Sequence, residues 1–289
     1  MKSSIVNRLR VVLSFLENAS KMAGSPRRST PMRLLFFSFF LALPSSQAAQ
    51  GGSVAIVGAT GAIGRALARR CVAAGTRPWL IGRDLSKLQA LSAECGGAPF
   101  SVIDVMALDT IVSGLNGQVP ADCKGFAYCV GDIVLKPFKR AAPADFLNCF
   151  SLHVVGAIEV LKVVEPALKK NGGSVVLFSS VAVQQGFTNH AVVSSAKGAI
   201  EGLTRALAAE LAPSKVRVNA IAPSISQSAM AAPILSKEEV AAKLGKEHPL
   251  GRVGEAEDSA ALAHFLLSND ASWVTGQIIG VDGGRSAVA

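Results

Sequence analysis

A short apolar run leads directly into a turn with three glycines, and this arrangement constrains the fold more than any other feature of the chain. The run is Ser53–Val57, the turn is Gly58–Gly64, and a helix-periodic stretch from Arg65 to Ala74 follows. Glycines here allow a tight turn, close approach of the backbone to a pyrophosphate and close packing of helix on strand. The helix N-terminus then presents free amides to phosphate. The residues predicted to contact a nucleotide are Gly58, Thr60, Gly61, Ile63 and Gly64.

Short β-rich runs alternate with helix-periodic stretches from residue 53 onward, which is typical of βαβ units. We predict strands near 53–57, 78–82, 99–103, 125–130, 173–179, 215–221 and 277–281. We predict helices over 62–74, 84–94, 107–115 (weakly) and 255–268, and within 143–170 and 190–212. No linker interrupts residues 51–289. The pattern therefore predicts a single α/β domain with a doubly wound, Rossmann-type parallel sheet of about seven strands and helices on both faces.

The segment 224–250 is less regular than the rest and contains Pro233 and Pro249. We expect it to form a mobile flap at the edge of a cleft. It carries no recognisable motif, so it does not predict a particular substrate.

The charge of the chain is concentrated in its first fifty residues. The whole sequence has 29 Lys and Arg against 20 Asp and Glu, a net charge of +9. Residues 1–50 hold seven of the basic residues and one acid, which leaves a net charge of +3 for residues 51–289. The domain itself is nearly neutral, so no nucleic-acid partner is expected.

Residues 1–50 are rich in Arg and Ser and lack a periodic apolar face, which predicts a targeting segment that is removed or disordered. Residues 1–33 are typical of a transit peptide, whereas the apolar run Leu34–Leu43 and the small residues Ser45–Ala49 are typical of a secretory signal that could start at Met32. Three destinations therefore remain as alternatives for this segment: the mitochondrion, the plastid and the endoplasmic reticulum. The apolar run is about half the ~20 residues that a spanning helix needs, so no permanent membrane span is expected.

The cysteines do not form a ligand pattern. There are five, an odd number, with no CxxC pair and no histidine at ligand spacing, so neither a metal site nor a disulfide framework is predicted. They are Cys71, Cys95, Cys123, Cys129 and Cys149.

The end of the second predicted strand indicates which nucleotide binds. An acid about 20 residues past the glycine turn would accept the ribose hydroxyls of NAD. Gly82 and Arg83 occupy that place, followed by Asp84. A guanidinium from Arg83, joined by Arg65, can pair with a 2′-phosphate, so NADP(H) is favoured over NAD(H).

Further motifs match one family over residues 53–284. They are Asp104-Val105, Gly172-Gly173-Ser174, Ser179-Ser180, Ser195–Ala199, Val216–Asn219, Val274–Gln277 and Val281–Gly284. Together with the glycine turn, these motifs resemble the short-chain dehydrogenases/reductases. The sequence as a whole is similar to the acyl-carrier-protein ketoreductase branch of that family. The resemblance implies NADP(H)-dependent hydride transfer to or from a small carbonyl or alcohol substrate, in a homodimer or homotetramer. It also implies cofactor contacts at Asp104, Val105, Cys129, Gly131, Lys197, Pro223 and Ser228.

The catalytic positions of that family are only partly kept. The family uses an Asn, a Ser, a Tyr and a Lys, with Tyr four residues before Lys and Ser thirteen before Tyr. Counting back from Lys197, the Tyr position holds Val193 and the Ser position holds Ser180. The resemblance implies that Ser180 polarises the substrate oxygen and that Lys197 holds the nicotinamide ribose. Valine cannot donate a proton, and Tyr128, the chain's one tyrosine, ends the fourth predicted strand.

Two histidines could replace the missing proton donor. His190 stands about one helical turn before Val193, and His153 occupies the family's Asn position, from which it could reach Lys197 through water. The ordinary alternatives are that His190 caps a helix and that His153 is a hydrogen-bonded residue near the core. Two functions therefore stay open: an atypical reductase that uses one of these histidines, or a catalytically impaired nucleotide-binding homologue with a structural, sensing or assembly role.

Overall fold

A seven-stranded parallel sheet forms the centre of the molecule. The computed structural model describes residues 52–288, so the predictions made for residues 1–50 lie outside the described residues. The strand order is β3-β2-β1-β4-β5-β6-β7, and every pairing is parallel. The strands are β1 (Ser53–Val57), β2 (Arg77–Gly82), β3 (Phe100–Val102), β4 (Cys123–Tyr128), β5 (Gly173–Phe178), β6 (Val216–Pro223) and β7 (Ile278–Val281). The predicted doubly wound α/β fold is confirmed.

Ten α-helices connect and cover the strands within the described residues. They are α1 (Ala62–Ala73), α2 (Leu85–Glu94), α3 (Leu108–Leu115), α4 (Pro143–Phe150), α5 (Gly156–Asn171), α6 (Val181–Gln184), α7 (Ala191–Leu211), α8 (Ala232–Leu235), α9 (Glu238–Lys246) and α10 (Ala256–Leu267). A π-helical turn, Ser151–Val155, joins α4 to α5.

The structure differs from the sequence prediction in the segment 224–250, which contains helices α8 and α9. The first turn of α9 carries Glu238 and Glu239, and its last turn carries Lys243 and Lys246. Acids at the N-terminus and bases at the C-terminus stabilise a helix through its dipole. This charge order, and not apolar periodicity, was the available signal for a helix.

Two apolar layers enclose the sheet. Alternate side chains of β1 point to opposite faces, so Ala55 and Val57 join a cluster with α3, α5 and α7, and Val54 and Ile56 join one with α1, α2 and α10. All five β1 residues are buried. Burial on both faces explains why the parallel strands read as continuous apolar runs.

The stretch Pro143–Asn171 is long and apolar enough, by length and composition, to be tested as a membrane span among the described residues. Its residues Val160, Val164 and Leu168 are buried in the core beneath the sheet. This burial is typical of the core helix of an α/β domain.

The strand order places a crevice at the carboxyl ends of β1 and β4. Connections from β1 run towards β3 in one direction, and those from β4 run towards β7 in the other. Ligands of doubly wound sheets bind at such a switch point. Val57 pairs with Ile81 on one side and with Tyr128 on the other, so the loops after β1, β2 and β4 leave the sheet at one level.

Candidate active site

The glycine turn forms a cradle without side chains at the carboxyl end of β1. Gly58 has φ of +76°, and its amide donates to the Ile81 carbonyl at 2.8 Å. A Cβ atom on Gly64 would lie 2.3 Å from the Gly58 carbonyl oxygen, so only glycine fits there. The first turn of α1 holds no acidic residue. The first residues of α1, Ala62 and Ile63, line the neighbouring cleft, so the free amides and positive end of this helix fit a dinucleotide diphosphate.

The loop after β2 leaves an arginine at the predicted ribose position. Arg83 is exposed, whereas the Asp84 carboxylate accepts the Lys87 amide at 3.1 Å and the Ser86 hydroxyl at 2.8 Å. These hydrogen bonds, led by that from the Lys87 amide, lower the pKa of Asp84 to about 2. Asp84 therefore caps α2 and is already engaged. Arg65, the second cation suggested for the phosphate, pairs with Glu94 at 3.3 Å.

The loops after β3 and β4 complete the cofactor side. The exposed Asp104 carboxylate accepts the Met106 amide at 2.9 Å, while Val105 is buried. The Cys129 amide donates to the Val57 carbonyl at 2.8 Å, which holds the start of this loop beside the glycine turn. Burial raises the pKa of the Cys129 thiol to about 12, so the sulfur stays protonated.

A cleft of about 440 Å³ lies next to this cradle. The predicted site residues that line it are Ile63, Cys129, Gly131, His153, Ser180, His190, Lys197, Pro223 and Ser228. A larger cavity of about 670 Å³ lies at the opposite edge of the sheet, among residues such as Lys124 and Lys215. We place the site in the smaller cleft because it lies at the carboxyl ends of the strands and contains the ionisable groups.

Lys197 lies at the base of the cleft on α7. Its side chain is nearly enclosed, with 8% of the residue exposed, and its Nζ donates to the Phe178 carbonyl at 2.8 Å. Burial lowers the pKa of Lys197 to about 8. An ammonium with this pKa can exchange a proton near neutral pH.

His153 lies on the π-helical turn and is bound to an acid that sequence reasoning missed. Only 1% of His153 is exposed, and its Nε2 lies 2.9 Å from Oδ1 of Asp132. The Asp132 backbone amide also points at Nε2, at 3.4 Å, but the carboxylate contact is much shorter. We therefore assign the ring proton to Nε2, where the carboxylate accepts it, which leaves a lone pair on Nδ1. Nδ1 is buried and has no hydrogen-bond partner within residues 52–288. Burial lowers the pKa of His153, although the hydrogen bond to Asp132 opposes this, so the imidazole is neutral at pH 7.

The loop glycine brings the histidine close to the lysine. A Cβ atom on Gly131 would lie 2.8 Å from Cε1 of His153, 3.4 Å from its Nδ1 and 3.8 Å from Nζ of Lys197. Asp132 connects the buried side chains of His153 and Lys197 to the cleft, because 43% of the Asp132 side chain is exposed. Cys149 is the neighbour on α4, and its potential ligand atom lies within 4.8 Å of those of Asp132 and His153. The positive charge of the Lys197 ammonium lies beside these three side chains and disfavours a metal cation there by electrostatic repulsion.

Val193 lies on the wall of the cleft, one turn before Lys197. It is 7% exposed and packs with Cys149, Val192 and Ala196. Ser180, which begins α6, also lines the cleft, and its hydroxyl accepts the Ala182 amide at 3.2 Å. This contact leaves the Ser180 O–H available to a substrate oxygen.

Tyr128 has a structural role in this geometry. Its hydroxyl donates to the Leu152 carbonyl at 2.6 Å, at the start of the π-helical turn. Burial raises its pKa far above the normal range, and it does not contribute to the cleft wall as the structure describes it. The tyrosine therefore fixes the backbone near His153 and does not face the substrate.

His190 lines the cleft and occupies the N-cap position of α7, but its side chain does not cap the helix. Its Nδ1 lies 2.7 Å from the Thr188 carbonyl, and no side-chain hydrogen bond reaches the first amides of the helix. The expectation of a helix cap is therefore confirmed for the position of His190 but not for its side chain, because the carbonyl two residues earlier holds the ring. The expectation that His153 is a hydrogen-bonded residue near the core is confirmed.

The comparisons with known proteins agree with this geometry. Residues 58–286 match a family described as enoyl-(acyl carrier protein) reductase. The chain is 34% identical to L-xylulose reductase of Bos taurus over 81% of its length and 96% of that protein, and 30% identical to carbonyl reductase [NADPH] 2 of Sus scrofa over 80% and 95%.

A solved structure with bound NADP is also similar. It is a proposed NAD(P)-dependent gluconate 5-dehydrogenase from Beutenbergia cavernae, with a TM-score of 0.76, 29% identity, and coverage of 82% of this chain and 97% of that one. The chain belongs to the short-chain dehydrogenase/reductase superfamily. Members of this family are NAD(P)-dependent oxidoreductases of carbonyl and alcohol compounds.

Proposed function

We propose that this chain is an NADP(H)-dependent oxidoreductase that interconverts a carbonyl and an alcohol, with Lys197, His153 and Asp132 together performing the proton transfer that the family assigns to tyrosine. The observation that carries the proposal is the buried imidazole of His153, which is bound to the partly exposed Asp132 beside Lys197 and whose Nδ1 has no partner within residues 52–288. A hydrogen-bonded imidazole in an enclosed cleft is suited to general acid–base work.

The residues of the chain would divide the remaining tasks. The bound nicotinamide supplies or accepts the hydride. Ser180 donates a hydrogen bond to the substrate oxygen, which favours the negative charge that develops there. Lys197 holds the ribose and exchanges its proton with the same oxygen through water. In the oxidation direction, Nδ1 of His153 accepts the proton that Lys197 takes from the substrate. The Nε2–H of the same ring passes its proton to Asp132, which is open to solvent. Reduction uses the reverse order.

One observation favours the alternative, a catalytically impaired homologue with a structural or sensing role. Val193 places a hydrocarbon at the position from which the family's phenol acts. Carbonyl compounds for separating the two are suggested by the names of the relatives, which include a tropinone reductase homolog of Arabidopsis thaliana that is 31% identical to this chain. The compounds are L-xylulose, tropinone and 5-ketogluconate. Turnover of any of these by the full chain would favour the oxidoreductase.

Replacing Arg83 with alanine is expected to remove most of a preference for NADPH over NADH. The exposed guanidinium can pair with the 2′-phosphate, and such a charge-assisted bond contributes roughly 1.5–3 kcal/mol, or about 10- to 100-fold in affinity. Fluorescence titration of both cofactors checks this. Arg69→Ala is the matched control, because Arg69 is an exposed arginine of α1 that pairs with Glu94. Equal affinities for the two cofactors in the unchanged protein would contradict the NADP(H) assignment.

The reduction rate is expected to fall as the pH rises through about 8. Burial lowers the pKa of Lys197 to about 8, and reduction consumes the proton that this group holds. Above that pH the free enzyme loses its proton, so kcat/KM for reduction decreases by about tenfold per pH unit. The measurement is kcat/KM between pH 6 and 10, with NADPH binding followed over the same range. A profile that stays flat to pH 9.5 would rule out Lys197 as the proton-transferring group.

A further inference from the structure

An arginine near the C-terminus lines the same cleft as the proton-transferring residues. Arg285 is contributed by the tail after β7, and its side chain is 16% exposed. The tail is well anchored, because the Asp282 carboxylate accepts the Gly284 amide at 3.0 Å and the Ser286 amide at 2.8 Å. Arg285 is therefore held in place by the fold.

Aromatic contacts connect Arg285 to the reacting end of the cleft. Its guanidinium carbon lies 4.5 Å from the centroid of the Phe187 ring, and that ring lies 5.3 Å from the ring of His190. His190 directly precedes the helix that carries Val193 and Lys197. A substrate whose carbonyl faces Lys197 can thus extend along this wall towards Arg285.

The guanidinium keeps donors available. Within residues 52–288 its one side-chain hydrogen bond joins Nη2 to Oε2 of Glu247. A guanidinium has five N–H donors, so others stay free for a second acceptor. The remaining charged groups lining the cleft are Lys197, whose Nζ is bound to the Phe178 carbonyl, and Asp132, which is bound to His153. Arg285 is the cation best placed to meet the far end of a substrate.

Apolar side chains line much of the cleft, next to polar ones such as Ser226 and Gln227. The apolar side chains include Ile133, Val181, Met230, Ile234 and Leu244. A cation among apolar groups strengthens a charge-assisted hydrogen bond, because water competes less there. An anionic group is therefore favoured over a neutral hydroxyl at this position.

We propose that Arg285 is a specificity-determining residue that binds a carboxylate at the end of the substrate remote from the carbonyl. The preferred substrates are then keto acids and hydroxy acids, and Glu247 occupies the guanidinium when no substrate is bound. The inference rests on the proposed oxidoreductase function for its substrate class, but the binding site is testable without turnover.

The test is calorimetric titration of the full chain, saturated with NADP⁺, with D-gluconate and with D-glucitol. These probes differ by a carboxylate in place of a hydroxymethyl group. The unchanged protein is expected to bind gluconate about 10- to 100-fold more tightly than glucitol, the range for a charge-assisted bond. Arg285→Gln is expected to abolish this difference and leave NADP⁺ affinity unchanged.

Two further variants sharpen the test. Glu247→Gln removes the competing carboxylate and is expected to raise gluconate affinity, opposite in sign to Arg285→Gln. Arg252→Gln is the matched control, since Arg252 pairs with Asp258 and does not line the cleft within the described residues. Thermal unfolding shows that each variant is folded.

Several results would overturn the proposal: no gluconate binding, no preference for gluconate, a preference that survives Arg285→Gln, or a gluconate affinity that Glu247→Gln leaves unchanged or lowers. These outcomes are separable from failure of the proposed function. Selective gluconate binding without any turnover would refute the oxidoreductase and retain the carboxylate site. Turnover of L-xylulose with equal affinity for gluconate and glucitol would support the oxidoreductase and refute the carboxylate site.

Discussion

Replacing His153 with alanine is expected to lower kcat by about 10²- to 10⁴-fold, the usual contribution of a general acid–base group. The imidazole is bound to the partly exposed Asp132 and lies near Lys197, and its buried Nδ1 is available to accept a proton. NADPH affinity should change little, because the glycine turn and Arg83 are untouched. Steady-state kinetics with the best carbonyl substrate, together with NADPH titration, measure both quantities.

Controls separate proton transfer from folding. Loss of a buried ring leaves a cavity, so His153→Asn, which places the family's residue here, is the second variant; an amide fills more of the space but does not relay a proton. His190→Ala is the matched histidine, and its kcat should stay close to that of the unchanged protein because the Thr188 carbonyl holds its ring. Loss of activity in His190→Ala with full activity in His153→Ala would assign the proton to His190 instead.

Introducing a phenol at residue 193 is expected to make turnover independent of His153. Val193→Tyr places a hydroxyl one helical turn before Lys197, and Val193 already faces the cleft. In the His153→Asn background, this change recreates the family's arrangement and should raise kcat by about 10²- to 10⁴-fold. The measurement is the kcat of the double variant relative to His153→Asn alone.

Val193→Phe is the matched control for that experiment, because it adds the same ring without the hydroxyl. Extra volume beside Cys149 and Ala196 is expected to cost about 1–3 kcal/mol of stability, equally in both variants. Rescue by tyrosine and not by phenylalanine identifies the hydroxyl as the cause. An inactive natural protein that becomes active only as Val193→Tyr would support the impaired homologue.

The fold and the cofactor cradle could be predicted because their signals are local. Gly58 and Gly64 are required by backbone geometry within one turn, and the parallel strands are buried on both faces and therefore appear as short apolar runs. The order of the elements also predicts that Ser180 and Lys197 lie at one cleft. Ser180 follows the end of β5, and Lys197 lies in α7, a helix that connects β5 to β6.

The Asp132–His153 pair could not be predicted as a unit because its members meet through tertiary structure. Asp132 and His153 are 21 residues apart, and the π-helical turn that carries the imidazole is contacted by the Tyr128 hydroxyl, which donates to the Leu152 carbonyl. Arg285 enters the cleft only because Asp282 folds the tail back. A carboxylate directly after Gly131 was the one sequence signal for Asp132.

The most direct test of the proposed function is whether hydride from NADPH reaches a carbonyl carbon in the unaltered full-length protein. NADPH deuterated at both C4 positions is incubated with the protein and with L-xylulose, tropinone or 5-ketogluconate, and the product is examined by mass spectrometry. We predict one deuterium in the alcohol, with the yield greatly reduced in His153→Asn under the same conditions. Binding of NADPH without deuterated product from any of these compounds, or an equal yield from His153→Asn, would contradict the account.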